Sequence, residues 1–205
     1  MLTPIKGCLN MKQNLERIHN KPFKAIRIMR ILVLVLCFVH FLYTGNGQNI
    51  PDITGSKVMQ KDAQDALELH NNARKAVNVP PLEWSVELAK YAQEWADFLA
   101  NENNCQIAHR RSMGKNLRNA GENIFSGSGS IFDALFASKV WYSEIKNYDH
   151  SQSAEMGYQM AGHYTQMIWS KTKKLGIGMA TCKNGSIIIV ANYDPPGNYV
   201  GEKPF

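Results

Sequence analysis

The chain has 205 residues, 44% of them hydrophobic, and a formal net charge of +6; it can bury one substantial core and is neither disordered nor membrane-spanning throughout. The charge is not spread over the body. Residues 1–47 hold seven Lys and Arg against Glu16 alone, while the remaining 158 residues carry sixteen charges of each sign, which speaks against a nucleic-acid partner.

The basic stretch leads into 31–43 (ILVLVLCFVHFLY), a run of thirteen residues that is apolar but for His40. That is short for about 30 Å of hydrocarbon and has the flanks of a signal segment. Thr44, Gly45, Asn46 and Gly47 follow at the distance of a cleavage site, and Met29 is a second candidate start. The expectation is export, with 1–47 removed, 48–60 as a polar spacer and 61–205 as the folded domain. The alternative is an uncleaved signal anchor in the membrane. Past the segment only Cys105 and Cys182 remain, so an oxidising compartment implies one disulfide, the alternative being two buried thiols.

Over 62–78, Ala66, Leu67, His70, Ala73, Arg74 and Val77 recur at three-and-four spacing, which predicts an amphipathic helix stopped by Pro80 and Pro81. His70 reads as a packed helix-face histidine. Ser85 is placed to cap a second helix with Leu88, Tyr91, Ala92, Trp95, Phe98 and Leu99 on one face. From 104 to 129 the periodicity fails and glycines mark a loop, broken by a short strand around 122–125. Ser130 with Asp133 resembles a capping box for a third helix reaching Tyr148, with Glu144 in its last turns.

Residues 149–162 read as a loop and 163–170 as a short helix. Then 175–181 and 186–193 read as strands joined through Asn184-Gly185, a hairpin turn. A surface-wrapping tail follows. Helices first and the strand pair last indicate an α+β arrangement rather than a doubly wound sheet.

Six motifs occur in order: His-Asn-x-x-Arg (His70, Asn71, Arg74), Pro-Leu-x-Trp (Pro81, Leu82, Trp84), Gly-Glu-Asn-Ile from Gly121, Trp-Tyr-Ser-Glu from Trp141, Gly-His-Tyr-Thr-Gln-Met-Ile-Trp from Gly162, and Asn-Tyr-Asp-Pro-Pro-Gly-Asn-Tyr from Asn192. Together they resemble the CAP superfamily of cysteine-rich secretory proteins, antigen 5 and pathogenesis-related proteins, from about residue 60 onward. Residues 141–147 and 172–178 look like the animal Golgi-associated plant pathogenesis-related protein, which lacks a signal peptide; the tail looks like the plant proteins.

The resemblance implies an α-β-α sandwich, the SCP domain, with a cleft lined by His109, Glu122, Glu144 and His163 and bordered by Asn123 and Gln166. Arg110 stands where the family usually has Ser. It also implies pairing of Cys105 with Cys182, because Ala161, Ile177 and Ala191 occupy positions where plant members carry further cysteines.

Two imidazoles and two carboxylates suit a divalent cation, Zn2+ before Ca2+ or Mg2+ because of the nitrogen donors. They could equally share protons, or simply hold the loops together. The expected function is a secreted, non-enzymatic protein binding a lipid (sterol or fatty acid) or a protein partner in defence or host interaction. Tyr148, Met156, Tyr158 and Met160 are candidates for a small apolar groove, membrane contact included, or for ordinary loop packing. One alternative is a metal-assisted hydrolase with Glu122 or His163 as base and Glu144 assisting, although no motif sets Ser126, Ser143 or Thr165 beside a base. Another is a toxin-like interaction module whose cleft is purely structural.

Overall fold

The computed structural model describes the chain from residue 50 onward except 53, 116, 117, 130 and 150–153, with backbone only over 154–159. The expected signal segment, Ser130 and the side chains of Met156 and Tyr158 lie outside the described residues. Within the spacer, Ile50, Thr54 and Val58 are buried against the domain.

The first helix, α1 (Gln60–Ala76), buries Ala63, Ala66, Leu67, His70, Ala73 and Arg74, the face the spacing predicts. A two-residue strand, β1 (Glu83–Trp84), then precedes α2 (Val86–Asn101). Ser85 caps α2 as expected, its hydroxyl accepting from the Leu88 N–H at 3.3 Å. Strand β2 (Gly121–Ser128) leads to α3 (Ala134–Ser143), which passes into a 3-10 turn (Glu144–Asn147). Helix α4 (Ala154–Met167) and the hairpin β3 (Lys174–Thr181) and β4 (Ser186–Asp194) complete the fold.

The sheet order is β1-β3-β4-β2, parallel between β1 and β3 and antiparallel elsewhere. Strand β4 is buried on both faces from Ile187 to Tyr193, which is why it reads as an unbroken apolar run rather than an alternation. On one face α2 packs through Ala92, Trp95, Ala96, Leu99 and Ala100 onto Ile124, Ala180, Ile188 and Val190. Its close approach needs Gly176 and Gly178, where an added Cβ would collide with the α2 backbone at Leu88, Ala89 and Gln93. The other face carries α1, α3 and α4, through Leu67, Trp141, Tyr164, Met167 and Ile168 among others. The result is the expected α-β-α sandwich.

Several boundaries differ from expectation: β1 is unexpected, the α-helical part of α3 stops at Ser143 short of Tyr148, and α4 ends at Met167 rather than 170. Strand β2 runs to Ser128, beyond 125, because its ladder with β4 continues to Ser128↔Ser186. Helix α3 starts at Ala134 with Asp133 itself as the cap, its carboxylate accepting from the Phe136 N–H at 2.7 Å. Helix α4 begins at Ala154, well inside the expected loop, and breaks at Ala161 (φ −142°, ψ 26°) before continuing through His163. Among the described residues no helix is long and apolar enough to cross a membrane.

Candidate functional site

After α2 the chain turns through Asn104 and Cys105, both with positive φ. Cys105 is disulfide-bonded to Cys182 at the end of β3, with Cα atoms 5.9 Å apart, the pairing the resemblance implies. The loop that follows is gripped from α2. The Trp95 indole N–H donates to the Ala108 carbonyl at 2.9 Å, and the buried Arg110 guanidinium lies 3.6 Å over the Tyr91 ring while donating to the Tyr91 carbonyl at 2.8 Å. This is what the Arg110 departure does: a cation stacked on an aromatic face replaces a small hydroxyl residue.

Between those two anchors stands His109. Its Nδ1–H donates to Glu122 Oε1 at 2.9 Å, and the Arg110 backbone N–H donates to the same oxygen at 2.9 Å. The imidazole is 52% exposed and the carboxylate side chain only 8%. Glu122 Oε2 is buried with no hydrogen-bond partner among the described residues.

The second pair comes from the helical layer. Because α4 breaks at Ala161, the N–H groups of His163 and Tyr164 lose their partners within the helix, and Glu144 at the start of the 3-10 turn supplies one. Glu144 Oε2 accepts from both amides at 2.9 and 3.3 Å, and Oε1 accepts from His163 Nδ1 at 2.6 Å. Burial raises the Glu144 carboxyl, but the hydrogen bond and charge of His163, together with the two amides, outweigh it and leave the pKa below the ordinary carboxylate value. The indole of Trp141 stacks beside the His163 ring at 6.3 Å between centroids.

Asn123 joins the two halves. Its amide donates to the His163 carbonyl and to the Tyr193 hydroxyl, both at 3.1 Å. Beyond Tyr193 lies His70, whose Nε2 is 2.9 Å from the hydroxyl and whose Nδ1 donates to the Ala66 carbonyl. Burial first, and the Arg74 charge after it, lower the His70 pKa to about 4 despite that carbonyl, so the ring is neutral and structural. Gln166 accepts from the Gly197 N–H at 2.9 Å. Asn198 holds Gly162 and Thr165 through hydrogen bonds of 2.8 Å. A cavity of about 450 Å³ opens between His109, Arg111, Glu122, Gln166, Gly197 and Asn198; Glu144 and His163 are not in its lining.

The four expected residues therefore come as two His-Glu pairs. Among the described residues no group of three or more His, Cys, Asp and Glu side chains is gathered closely enough to hold an ion by itself. His109 and His163 are the residues that could offer a ring nitrogen to a cation. Each carboxylate takes the Nδ1–H, which leaves each Nε2 lone pair for a metal, the carboxylate–histidine arrangement common around zinc. Arg110, Tyr193 and Asn198 also shape the site. Arg110 had a sequence signal in its departure from Ser, and Tyr193 and Asn198 belong to the motif that begins at Asn192, though nothing in that motif tells which side chains they hold.

Comparison with known proteins agrees with this architecture. The profile of the "CAP: Cysteine-rich secretory protein family" matches residues 67–193. Pathogenesis-related protein 1A of Nicotiana tabacum is 39% identical over 146 residues, 71% of this chain and 82% of that protein. Pathogenesis-related protein 1 of Arabidopsis thaliana is 40% identical over 157 residues, 75% of this chain and 91% of the relative. Among solved structures, BmVAL-1 superposes with a TM-score of 0.61 at 27% identity, covering 74% of this chain and 84% of its own. NaASP2, crystallised with Zn2+, gives 0.59 at 26% identity, covering 72% and 86%. Motifs, sandwich and these likenesses coincide over the same span, and the chain belongs to the CAP family, the cysteine-rich secretory proteins.

Proposed function

We propose that the mature domain is a secreted binding protein of plant-type defence, not an enzyme, and that its cleft takes a divalent cation, Zn2+ by preference, on His109 Nε2 and His163 Nε2. The observation that carries the cation reading is the paired geometry: both imidazoles spend Nδ1 on a glutamate. Glu122 and Glu144 orient the rings and favour the Nε2 lone pair, and a cation there would tie the His109 loop to α4. The structure of NaASP2 with Zn2+ supports the reading by likeness.

Capture of a lipid or a protein partner is the activity we assign. Tyr148 meets the buried Tyr164 edge-on at 5.7 Å, Phe205 lies against Tyr148, and Met160 on α4 is 66% exposed. Tyr148, Met160 and Phe205 are the apolar side chains we assign to contact with a sterol or fatty acid. Export is supported by the Cys105–Cys182 bridge, which belongs to an oxidising compartment. The defence role is supported by the pathogenesis-related relatives.

Two of the three nearby hydroxyls are engaged away from the imidazoles, which favours binding over hydrolysis: Ser143 donates to the Val140 carbonyl and Thr165 to Gly162 and Asn198. Calorimetric titration of the purified domain with Zn2+ tests the cation reading. Heat that is present in the parent and lost in His163→Ala is expected; no heat, or unchanged heat in the variant, would overturn it. For the lipid, a labelled sterol should co-elute with the domain in gel filtration, and failure to do so counts against capture.

A further inference from the structure

Asn184-Gly185-Ser186 is the only Asn-x-Ser/Thr triplet, with x other than Pro, in the 205 residues. It forms the turn of the β3–β4 hairpin. Asn184 and Gly185 are exposed, and Ser186 opens β4. Glycine is required there, since Gly185 takes φ +81°. The Cys182 N–H donates to the Ser186 carbonyl at 2.8 Å and the Gly185 N–H to the Cys182 carbonyl at 2.9 Å, which makes the turn tight. Within it the Ser186 N–H donates to Asn184 Oδ1 at 3.0 Å, an Asx turn. The carboxamide oxygen is thus held by the backbone while Nδ2 has no recorded partner among the described residues.

We propose that Asn184 is an acceptor for N-linked glycosylation. The triplet has the required residue types, and an exposed, rigid hairpin tip leaves room for a bulky, solvated substituent. The co-reactant is an oligosaccharide carried on a lipid pyrophosphate. The bond from its anomeric carbon to the phosphate oxygen breaks, and a bond from that carbon to Asn184 Nδ2 forms. The nitrogen gives up one proton, and the lipid pyrophosphate departs with the bonding electrons; nothing is oxidised or reduced.

Position makes the modification compatible with the cleft. Glu122 pairs with Asn192 at one end of the β2–β4 ladder and Ser128 with Ser186 at the other. That separation is about 20 Å of strand at roughly 3.3 Å per residue, so a glycan on the turn stands away from His109 and Glu122. It stands instead at the end of the sheet where the Phe132 ring packs over Gly127, one residue from the hairpin end of β2.

The inference rests on export, and the experiment separates the two. The full chain is expressed in a eukaryotic secretory host and the protein in the medium is weighed intact, before and after peptide N-glycosidase. The expected result is an excess mass of one core oligosaccharide that is lost on treatment, with Asn184 converted to Asp. The excess should be absent in Asn184→Gln and in Ser186→Ala and present in Ser186→Thr. A secreted chain with Cys105 and Cys182 oxidised but of bare polypeptide mass overturns the glycosylation and leaves export standing. An oligosaccharide that persists in Asn184→Gln overturns it too. A chain held in the cell with both cysteines reduced overturns export and glycosylation together.

Discussion

Glu122 and Asn123 are neighbours on β2 that point to opposite faces of the sheet, and each holds one histidine of the site. Glu122 takes the His109 imidazole on the α2 side; Asn123 takes the His163 carbonyl on the side of α1, α3 and α4. Strand alternation places them so, on a strand at the edge of the sheet. The two halves are therefore coupled through a single peptide bond.

If the carboxylates orient the imidazoles, Glu122→Ala should lower Zn2+ affinity about 10–100-fold, the usual effect of deleting a hydrogen-bond partner behind a ligating histidine. Circular dichroism should stay native. Titration calorimetry checks it, and affinity equal to that of the parent would refute the orienting role.

Asn123→Ala leaves the His163 carbonyl and the Tyr193 hydroxyl short of a donor in a buried setting. The expected cost is about 1–3 kcal/mol, read from urea unfolding. Asn123→Asp should do no better, because a carboxylate has no N–H to give either oxygen.

His70 makes stability depend on pH. Its folded pKa is about 4 against 6.5 for the free side chain, so the unfolded chain binds the proton more readily. Its contribution is complete above pH 6.5 and declines as pH falls towards 4, by about 3 kcal/mol in all. Urea midpoints measured across that range should fall more steeply for the parent than for His70→Gln. Parallel curves would sink the assignment.

Removing the disulfide should destabilise the domain by about 4 kcal/mol, since it closes a loop with a sequence separation of 77. Thermal unfolding of Cys105→Ser/Cys182→Ser against the parent measures this. The double variant should also loosen the His109 loop, with faster amide exchange at His109 and Arg110 than at Glu122.

Gly176→Ala would force a methyl group into the α2 backbone at Leu88 and Ala89. A loss of about 1–3 kcal/mol is expected from overpacking, seen as a lowered urea midpoint.

Much of this was legible in the residues themselves. Helices α1 and α2 announce themselves through apolar spacing and, for α2, the Ser85 cap; the hairpin does so through Asn184-Gly185. Strand β2 past Phe125 was hidden because Ser126, Gly127 and Ser128 have little strand preference, and pairing with β4 imposes the conformation. The first half of α4 was hidden because Gly157 and polar neighbours interrupt any apolar stripe. Within the site, Glu122, Glu144 and His163 were anchored by their motifs and His109 by its place after Cys105. What could not be read was the pairing, since it depends on the break at Ala161, which frees two amides for Glu144, and on Arg110 folding back onto Tyr91.

Strand β4 is hydrogen-bonded on both flanks and buried along its whole middle. Its amides should be the last to exchange with deuterium, at a rate set by global unfolding. The His109–Glu122 pair is thus mounted through β2 on the strand expected to open last, while His109 itself sits in a loop, which is expected to open more often. A ligand that bridges His109 and His163 would register chiefly as slowed exchange in the His109 loop, with β4 slowed only as far as global stability rises.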